Sequence, residues 1–92
     1  MRITWSEVAE NDLASVLLYI AADDKSAALK LVDRLEAAGN SLVDFPMRGR
    51  PGRNQGTREL AVSGTNYIIV YQIEDEGVEI LRALHGARDW PP

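Results

Sequence analysis

Residues 67–73, YIIVYQI, form the most apolar stretch in the second half of the chain, and they decide the fold. Isoleucine, valine and tyrosine favour the pleated, partly buried backbone of a β-strand. Because the apolar side chains fall at both odd and even positions, both faces of this strand are expected to be covered. The stretch therefore predicts the central strand of a sheet.

Two further strand-like segments flank this central strand. The polar turn SGTN precedes it and links it to TRELAV at residues 57–62, and the turn EDEG follows it and leads to VEILRALH at residues 78–85. Connections this short join antiparallel neighbours. We therefore predict a three-stranded antiparallel meander, and the more alternating pattern of the last strand predicts one wetter face.

The first half of the chain has helical periodicity. Ser6 is a suitable N-cap for a helix over about residues 6–22, because its hydroxyl can accept a hydrogen bond from a free helical N–H. Asp24 can cap a second helix in the same way. The apolar residues of this second helix repeat at alternating spacings of three and four. That spacing predicts two antiparallel helices packed on each other. The initial RITW segment predicts a short strand at or near the sheet edge.

Between the two halves lies a proline-, glycine- and arginine-rich segment. Phe45-Pro46 ends the helical half, since proline cannot continue a helix, and MRGRPGRNQG at residues 47–56 predicts a loop. The predicted fold class is α+β with the order β-α-α-β-β-β: a helical hairpin packed on one face of a small antiparallel sheet, in a single domain over residues 1–92. The other sheet face is expected to be polar or covered by a partner.

Composition excludes several kinds of function. The chain has no cysteine and one histidine, so we expect neither disulfides nor a metal site, and no cofactor. The polar N-terminus lacks a signal peptide, and the longest apolar run, VLLYIAA, is far shorter than a membrane span. We expect a cytoplasmic protein without a membrane partner. A net charge of -4 argues against general nucleic-acid binding.

The charge is unevenly distributed, however. Residues 1–44 hold four basic and eight acidic side chains, whereas residues 45–92 hold six of each. Arg48, Arg50, Arg53 and Arg58 fall within eleven residues that contain no acid. This local basic cluster is the first candidate surface for binding a partner.

Six short motifs occur in a characteristic order along the chain. These are AENDL at residues 9–13, LVDFP at 42–46, GRPGR at 49–53, REL at 58–60, the Y-x-x-x-Y pattern at 67–71 and ILRALHGARDW at 80–90. None is specific by itself. Together, over essentially the whole chain, they resemble the toxins of type II toxin–antitoxin modules in the RelE/ParE superfamily.

The resemblance implies a small cytoplasmic bacterial toxin that takes part in plasmid or chromosome stabilisation. Its implied partner is a cognate antitoxin, ParD-like or similar, in a complex of 2:2 or higher stoichiometry. In this superfamily the antitoxin wraps the toxin with a helix and an extended segment. The antitoxin is also expected to bind the operator, so no direct sequence-specific DNA binding is expected from this chain.

The superfamily has two branches with different activities. ParE-like members block DNA gyrase without hydrolysis, whereas RelE-like members cut messenger RNA in the ribosomal A site with lysines, arginines and a C-terminal tyrosine. In this chain Leu60 and Ile68 stand at two of the basic positions, and the terminal tyrosine has no counterpart. Only Arg58 and Arg88 match basic positions. Arginine stays protonated and so cannot exchange the protons that RNA cleavage requires.

These differences favour a ParE-like gyrase inhibitor with no catalytic residue. The alternative is a ribosome-dependent messenger RNA endonuclease that uses Arg58, His85 and Arg88, because the imidazole of His85 can exchange a proton near neutral pH. A third possibility is a non-toxic domain that only binds an antitoxin. Against a catalytic role, His85 is better explained as an ordinary histidine at the end of a strand, because a lone histidine rarely acts in catalysis without a partner.

Seven residues are candidates for binding the antitoxin or the target, since arginine and tryptophan are enriched at interface hot spots. For Arg58, Arg82 and Arg88, the alternative is surface charge paired with Glu59, Glu79 or Asp89. Tyr67 and Tyr71 are expected to pack in the core or across strands. The seven candidates are Arg48, Arg50, Arg53, Arg58, Arg82, Arg88 and Trp90.

Overall fold

A computed structural model describes residues 1–86 of the chain. Two helices pack on one face of a five-stranded sheet, which confirms the predicted α+β fold class. The elements are β1 (Arg2–Trp5), α1 (Glu7–Ala21), α2 (Lys25–Asn40), a 3-10 turn (Ser41–Val43), β2 (Arg50–Pro51), β3 (Arg58–Ala61), β4 (Tyr67–Glu74) and β5 (Gly77–His85).

Both helices begin where the capping residues predict. The Ser6 hydroxyl accepts from the Ala9 amide at 3.0 Å, and the Asp24 carboxylate accepts from the Ala27 amide at 3.0 Å. Each cap satisfies one backbone donor that the first helical turn leaves without a partner. The Ser6 hydroxyl also donates to the Leu81 carbonyl at 3.1 Å, so the start of α1 is fixed to β5.

The sheet has the strand order β1-β5-β4-β3-β2. The meander β3-β4-β5 is antiparallel and β4 is central, as predicted. β1 lies at the edge but runs parallel to β5, so the sheet is mixed and not, as predicted from the sequence, antiparallel throughout. Within the predicted loop, Arg50–Pro51 forms a two-residue strand against β3.

The main core lies between the helices and the sheet. Leu35, Leu42, Ile69, Tyr71 and Ile80 are fully buried there. A smaller cluster of Ile68, Val70 and Leu84, with Leu81 beside it, lies on the other sheet face and contains no helical residue. Ile68, Val70 and Leu84 are at most 9% exposed. The sheet face opposite the helices, for which the sequence predicted no helix, is therefore buried at these three positions.

A β-bulge interrupts the pairing of β4 with β5. Tyr71 lies opposite Ile80 and Val70 opposite Arg82, which leaves Leu81 as the extra residue. A bulge shifts the inward and outward alternation by one position. Val78 and Ile80 therefore face the helices while Leu84 faces away, although unbroken alternation along β5 would put all three on one face.

The helices are short relative to a bilayer. Within residues 1–86, none is both long and apolar enough to cross a membrane.

Candidate functional site

The loop before β2 is fixed to the sheet by two side chains that lie opposite each other on β3 and β4. The Tyr71 hydroxyl accepts from the Gly49 amide at 2.8 Å and donates to the Pro46 carbonyl at 2.7 Å. The Arg58 guanidinium donates to the Gly49 carbonyl at 2.6 Å and to the Met47 carbonyl at 3.2 Å. Tyr71 is fully buried, as expected for core packing. Arg58 thus stabilises a loop, where the sequence analysis considered a pairing with an acid.

Replacing Tyr71 with phenylalanine is expected to lower the free energy of unfolding by about 2 kcal/mol, because the buried Gly49 amide and the partly buried Pro46 carbonyl lose their partner. Urea denaturation of the purified chain measures the change. Tyr19→Phe is the matched control, since Tyr19 is 78% exposed and its hydroxyl can bind water. Equal midpoints for the two variants would contradict the role assigned to the Tyr71 hydroxyl.

Two arginines of the basic cluster are paired with one buried carboxylate. The Glu59 side chain is 1% exposed; it accepts from the Arg53 amide at 2.9 Å and from Arg53 Nε at 3.3 Å. Arg50 lies 3.8 Å from the same carboxylate. Its ion pairs and hydrogen bonds offset the cost of burying the charged carboxylate. Glu59 therefore neutralises part of the positive charge of the basic cluster between Arg48 and Arg58.

Arg48 differs from these neighbours. It is exposed and donates to the Ser41 hydroxyl at 3.2 Å, and within residues 1–86 it forms no ion pair with a carboxylate. The adjacent Phe45 and Met47 are 65% and 66% exposed and border an open hollow of about 640 Å³. This corner of the molecule combines a cation with accessible apolar surface.

Arg82 forms a bidentate ion pair with Asp12 on α1. Its Nε donates to Asp12 Oδ2 at 2.8 Å and its Nη2 donates to Oδ1 at 3.0 Å. The two side chains are 19% and 11% exposed. Asp12 Oδ2 also accepts from the Ala83 amide at 2.9 Å. The hydrogen bond to Asp12 raises the pKa of Arg82 above its ordinary value, against the opposing effect of burial.

Asp12 performs a structural task at the sheet edge. β1 pairs with β5 only as far as Ile80, so the backbone of Ala83 has no strand on that side among the described residues. The Asp12 carboxylate satisfies that amide in place of a strand. Asp12 is an acidic partner of Arg82 that the sequence did not indicate, since only Glu59, Glu79 and Asp89 were considered there as possible partners of the arginines.

His85 lies at the exposed end of β5. Its ring contacts the edge of the Tyr67 ring, with centroids 5.5 Å apart and an interplanar angle of 75°. Tyr67 packs on the main core, in agreement with the packing role expected for it. Arg88 and Trp90, the remaining two candidates, lie outside the described residues.

The structure does not bring Arg58 and His85 together. Arg58 lies opposite Tyr71 and His85 opposite Tyr67, on the two sides of β4. Four residues along β4 and two interstrand spacings put their Cα atoms about 16 Å apart. Leu60 and Ile68, which replace basic residues of the RelE-like pattern, are both 9% exposed and belong to the two opposite core clusters.

Sequence reasoning missed two acidic residues of this surface and the function of one tyrosine hydroxyl. Asp12 is one of three polar residues in the AENDL motif, and its spacing of three and four from Ala9 and Val16 could have indicated a position facing the sheet. Glu59 lies between Arg58 and Leu60 in β3, and its position in the sequence gave no comparable signal of burial. Within residues 1–86, no cluster of three or more histidine, cysteine, aspartate or glutamate side chains is arranged to hold a metal.

Two solved structures share this fold. A chain of the chromosomal ParDE TA system from P. aeruginosa gives a TM-score of 0.83 at 24% identity, covering 92% of this chain and 95% of that chain. A chain of the toxin–antitoxin complex RelBE2 from Mycobacterium tuberculosis gives a TM-score of 0.58 at 27% identity, covering 91% and 95%. The fold is that of the ParE and RelE toxins.

Sequence relatives lead to the same group. The protein Y4kP of Sinorhizobium fredii is 41% identical over 90 residues, which are 98% of this chain and 93% of that protein. Toxin RelE2 of Caulobacter vibrioides is 36% identical over 87 residues, covering 95% and 97%. The family model for the ParE toxin of the type II toxin–antitoxin system parDE matches residues 3–90. The chain belongs to this family and is a toxin of a type II toxin–antitoxin system.

Proposed function

We propose that this toxin acts in the ParE manner, by binding and inhibiting DNA gyrase, with no hydrolytic step of its own. A cognate antitoxin, ParD-like or similar, neutralises it in the cytoplasm. The observation that carries the proposal is the separation of Arg58 from His85 by about 16 Å, because they lie on the two sides of β4 and four residues apart along it.

RNA cleavage by attack of a 2′-OH needs proton removal, stabilisation of the phosphorane and protonation of the leaving oxygen around one phosphate. His85 can exchange protons, but it lies far from Arg58. Arg58 already uses its donors on the Gly49 and Met47 carbonyls. The other two positions of the pattern are occupied by the aliphatic side chains of Leu60 and Ile68. These features support a toxin that works by binding.

The overall charge also favours a protein target. A protein that works on ribosomal RNA gains affinity mainly from contacts to phosphates. This chain has a net charge of -4, and Glu59 and Asp12 pair with three of its arginines. The remaining positive charge is confined to a small part of the surface. A surface of this kind suits a protein interface of limited area better than a long nucleic acid.

Induction of the toxin without its antitoxin tests the proposal. Filamentous cells, an SOS response and loss of gyrase supercoiling by the purified protein in vitro are expected. The matched measurements are protein synthesis and transcript integrity in the same cells. Prompt translation arrest with codon-phased cuts in messenger RNA would overturn gyrase inhibition, and growth without any defect would indicate a domain that only binds the antitoxin.

Removing the imidazole gives a second, residue-level test. His85→Ala is expected to leave growth inhibition within about twofold of the parent, because no proton transfer depends on it. The readout is the number of surviving colonies after induction, with Tyr19→Phe as an exposed aromatic control. A fall in RNA cleavage together with a fall in killing for His85→Ala would favour the nuclease.

The RelE-like ribonuclease is the second candidate. Two relatives from Caulobacter vibrioides, at 36% and 32% identity, carry the names Toxin RelE2 and Toxin RelE1. His85 is exposed at the end of β5, where a substrate can reach it. In this alternative Arg88 would supply the positive charge that Arg58 cannot bring to His85.

The antitoxin is expected to cover the candidate surface in a complex of 2:2 or higher stoichiometry. Among the candidates within residues 1–86, Arg48 is the one most available for binding, since Arg50 and Arg53 are paired with Glu59, Arg82 with Asp12, and Arg58 with backbone carbonyls. We therefore assign Arg48 to partner binding and Arg82 mainly to structure. Light scattering of the co-expressed pair measures the stoichiometry.

A further inference from the structure

The turn that follows the helical hairpin exposes two large apolar side chains beside a cation. Phe45 and Met47 are 65% and 66% exposed, and together with Pro46 and Arg48 they line an open hollow of about 640 Å³. Single exposed apolar residues are ordinary on a protein surface, but aromatic residues, methionine and arginine are all enriched at protein interfaces. The composition of this 45–48 corner is therefore that of a binding surface.

The backbone of the 45–48 corner is held by side chains of the sheet. The buried Tyr71 hydroxyl donates to the Pro46 carbonyl and accepts from the Gly49 amide, and the Arg58 guanidinium donates to the Met47 carbonyl. A Cβ at Gly49 would lie 2.6 Å from the Tyr71 hydroxyl oxygen, so this part of the loop is already in close contact with the sheet. The exposed side chains are carried on a fixed backbone, and a fixed backbone loses little conformational entropy on binding.

Arg48 gives the corner a positive charge that is available for a partner. Arg50 and Arg53 are paired with the Glu59 carboxylate, and Arg58 bonds backbone carbonyls. Arg48 donates to a neutral hydroxyl group, and within residues 1–86 it forms no ion pair with a carboxylate. A surface that is apolar and positive is complementary to an apolar pocket bordered by acidic side chains.

The corner needs no partner to take its shape. Its hydrogen bonds join residues of one chain, so the corner is formed when no antitoxin is bound. A toxin binds its target in that state. A segment that only binds an antitoxin, in contrast, can be ordered by the antitoxin itself. The order of the corner within the single chain therefore favours the target as its occupant.

We propose that Phe45, Met47 and Arg48 form the surface with which this toxin binds DNA gyrase. The two apolar side chains would enter an apolar pocket of the gyrase, and Arg48 would pair with an acidic side chain at the rim of that pocket. The inference rests on the proposed inhibition of gyrase, and it goes further by assigning the contact to one turn of the chain.

Two other occupants fit the corner less well. In a two-fold contact between copies of the chain, the same surface meets itself. The two Arg48 side chains would then approach each other, and among the described residues no acid lines the hollow. A nucleic acid gains affinity mainly from contacts to its phosphates. The corner offers one cation for such contacts, in a chain of net charge -4.

Inhibition of gyrase supercoiling by the purified toxin tests the two apolar residues. Phe45→Ala combined with Met47→Ala is expected to raise the half-inhibitory concentration at least about 20-fold, because a few anchor residues carry most of the energy of an interface. The matched control is Leu18→Ala combined with Leu29→Ala, two apolar residues of the helices that are 74% and 51% exposed. This control should stay within about threefold of the parent, and circular dichroism checks that both variants fold.

The charge of the corner is tested in the same assay at several salt concentrations. Arg48→Glu is expected to raise the half-inhibitory concentration at least about tenfold and to flatten its salt dependence. The matched control is Lys25→Glu, which makes the same change of charge at an exposed position at the start of α2. Its half-inhibitory concentration should stay within about threefold of the parent.

Met47 allows a measurement that needs no substitution. The chain has two methionines, Met1 and Met47, and both are 66% exposed. Dilute hydrogen peroxide should therefore oxidise both thioethers to sulfoxides at similar rates in the free toxin. Bound gyrase is expected to slow the oxidation of Met47 at least about fivefold and to leave Met1 unchanged. Mass spectrometry of the toxin peptides measures both rates.

Three results would overturn the inference. The first is an equal loss of gyrase inhibition for the corner variants and their matched controls. The second is a Met47 that is oxidised as fast with gyrase as without it. The third is a loss of antitoxin binding, self-association or RNA binding in the corner variants while gyrase inhibition is kept, which would assign the corner to one of those partners.

The parent toxin separates this inference from the proposed function. If the parent inhibits gyrase and the corner variants inhibit it equally well, only the assignment of the contact surface is wrong. If the parent leaves supercoiling intact, gyrase is not the target and both proposals fail.

Discussion

Replacing Asp12 with alanine is expected to lower the free energy of unfolding by about 3–5 kcal/mol, the range for removing one partner of a buried ion pair. Arg82, at 19% exposure, would lose its bidentate bond to Asp12, and the Ala83 amide would lose its acceptor. Folded proteins of this size have small net stabilities, so such a loss is a large part of the total. Chemical denaturation of the purified variant measures it.

Asp33→Ala is the matched control for this prediction. Asp33 is also an aspartate on a helix, but it is exposed, and it forms no ion pair within residues 1–86. Its removal is expected to change stability by less than about 0.5 kcal/mol. If the two variants unfold at the same denaturant concentration, the ion pair contributes nothing to the fold.

The Arg82→Ala variant distinguishes a structural role of Arg82 from a role in antitoxin binding. The variant should be less destabilised than Asp12→Ala, since Asp12 still accepts from Ala83 and can be reached by water. If Arg82 contacts the antitoxin directly, Arg82→Ala would weaken antitoxin binding more than Asp12→Ala does. Comparing the two variants in the same binding assay distinguishes these cases.

Replacing Gly77 with alanine is expected to destabilise the fold by about 3 kcal/mol, at the upper end for overpacking. A Cβ at this position would lie 2.1 Å from the Arg2 carbonyl oxygen, where β1 runs alongside β5. Backbone on both sides cannot move without breaking the parallel pairing, so β1 should detach. Hydrogen exchange should then accelerate in β1 while α2 and β3 keep their protection.

Gly86→Ala serves as the comparison. A Cβ there would approach the Asn66 carbonyl oxygen only to 3.3 Å, a contact that a small shift relieves. We expect a cost below about 1 kcal/mol. A similar loss for both glycines would mean that the close passage of β1 past Gly77 is not what requires glycine.

Local chemistry made much of the fold predictable. Residues close in sequence determine the Ser6 and Asp24 caps, the short polar turns and the strand β4, which is apolar on both faces. The structure contains each of these features. The parallel pairing of β1 was not predictable in this way. It joins residues about 75 positions apart, and periodicity in the sequence does not record which strand lies beside which.

The candidate site was less predictable than the fold. One extra residue, Leu81, shifts the face of everything after it, and alternation alone could not indicate the bulge. Asp12, which pairs with Arg82, is 70 positions away on α1, so the residues next to Arg82 in the sequence could not indicate this pairing. Arg58 binds backbone carbonyls, which every residue provides and no sequence pattern distinguishes.

The two outermost strands are four and two residues long, and they carry Arg2, Arg50 and Pro51. Short, charged or proline-containing edge strands resist pairing between identical molecules. A toxin released from its antitoxin therefore has little tendency to build open-ended sheets with its own copies. It can stay dispersed during the interval between losing its inhibitor and meeting its target.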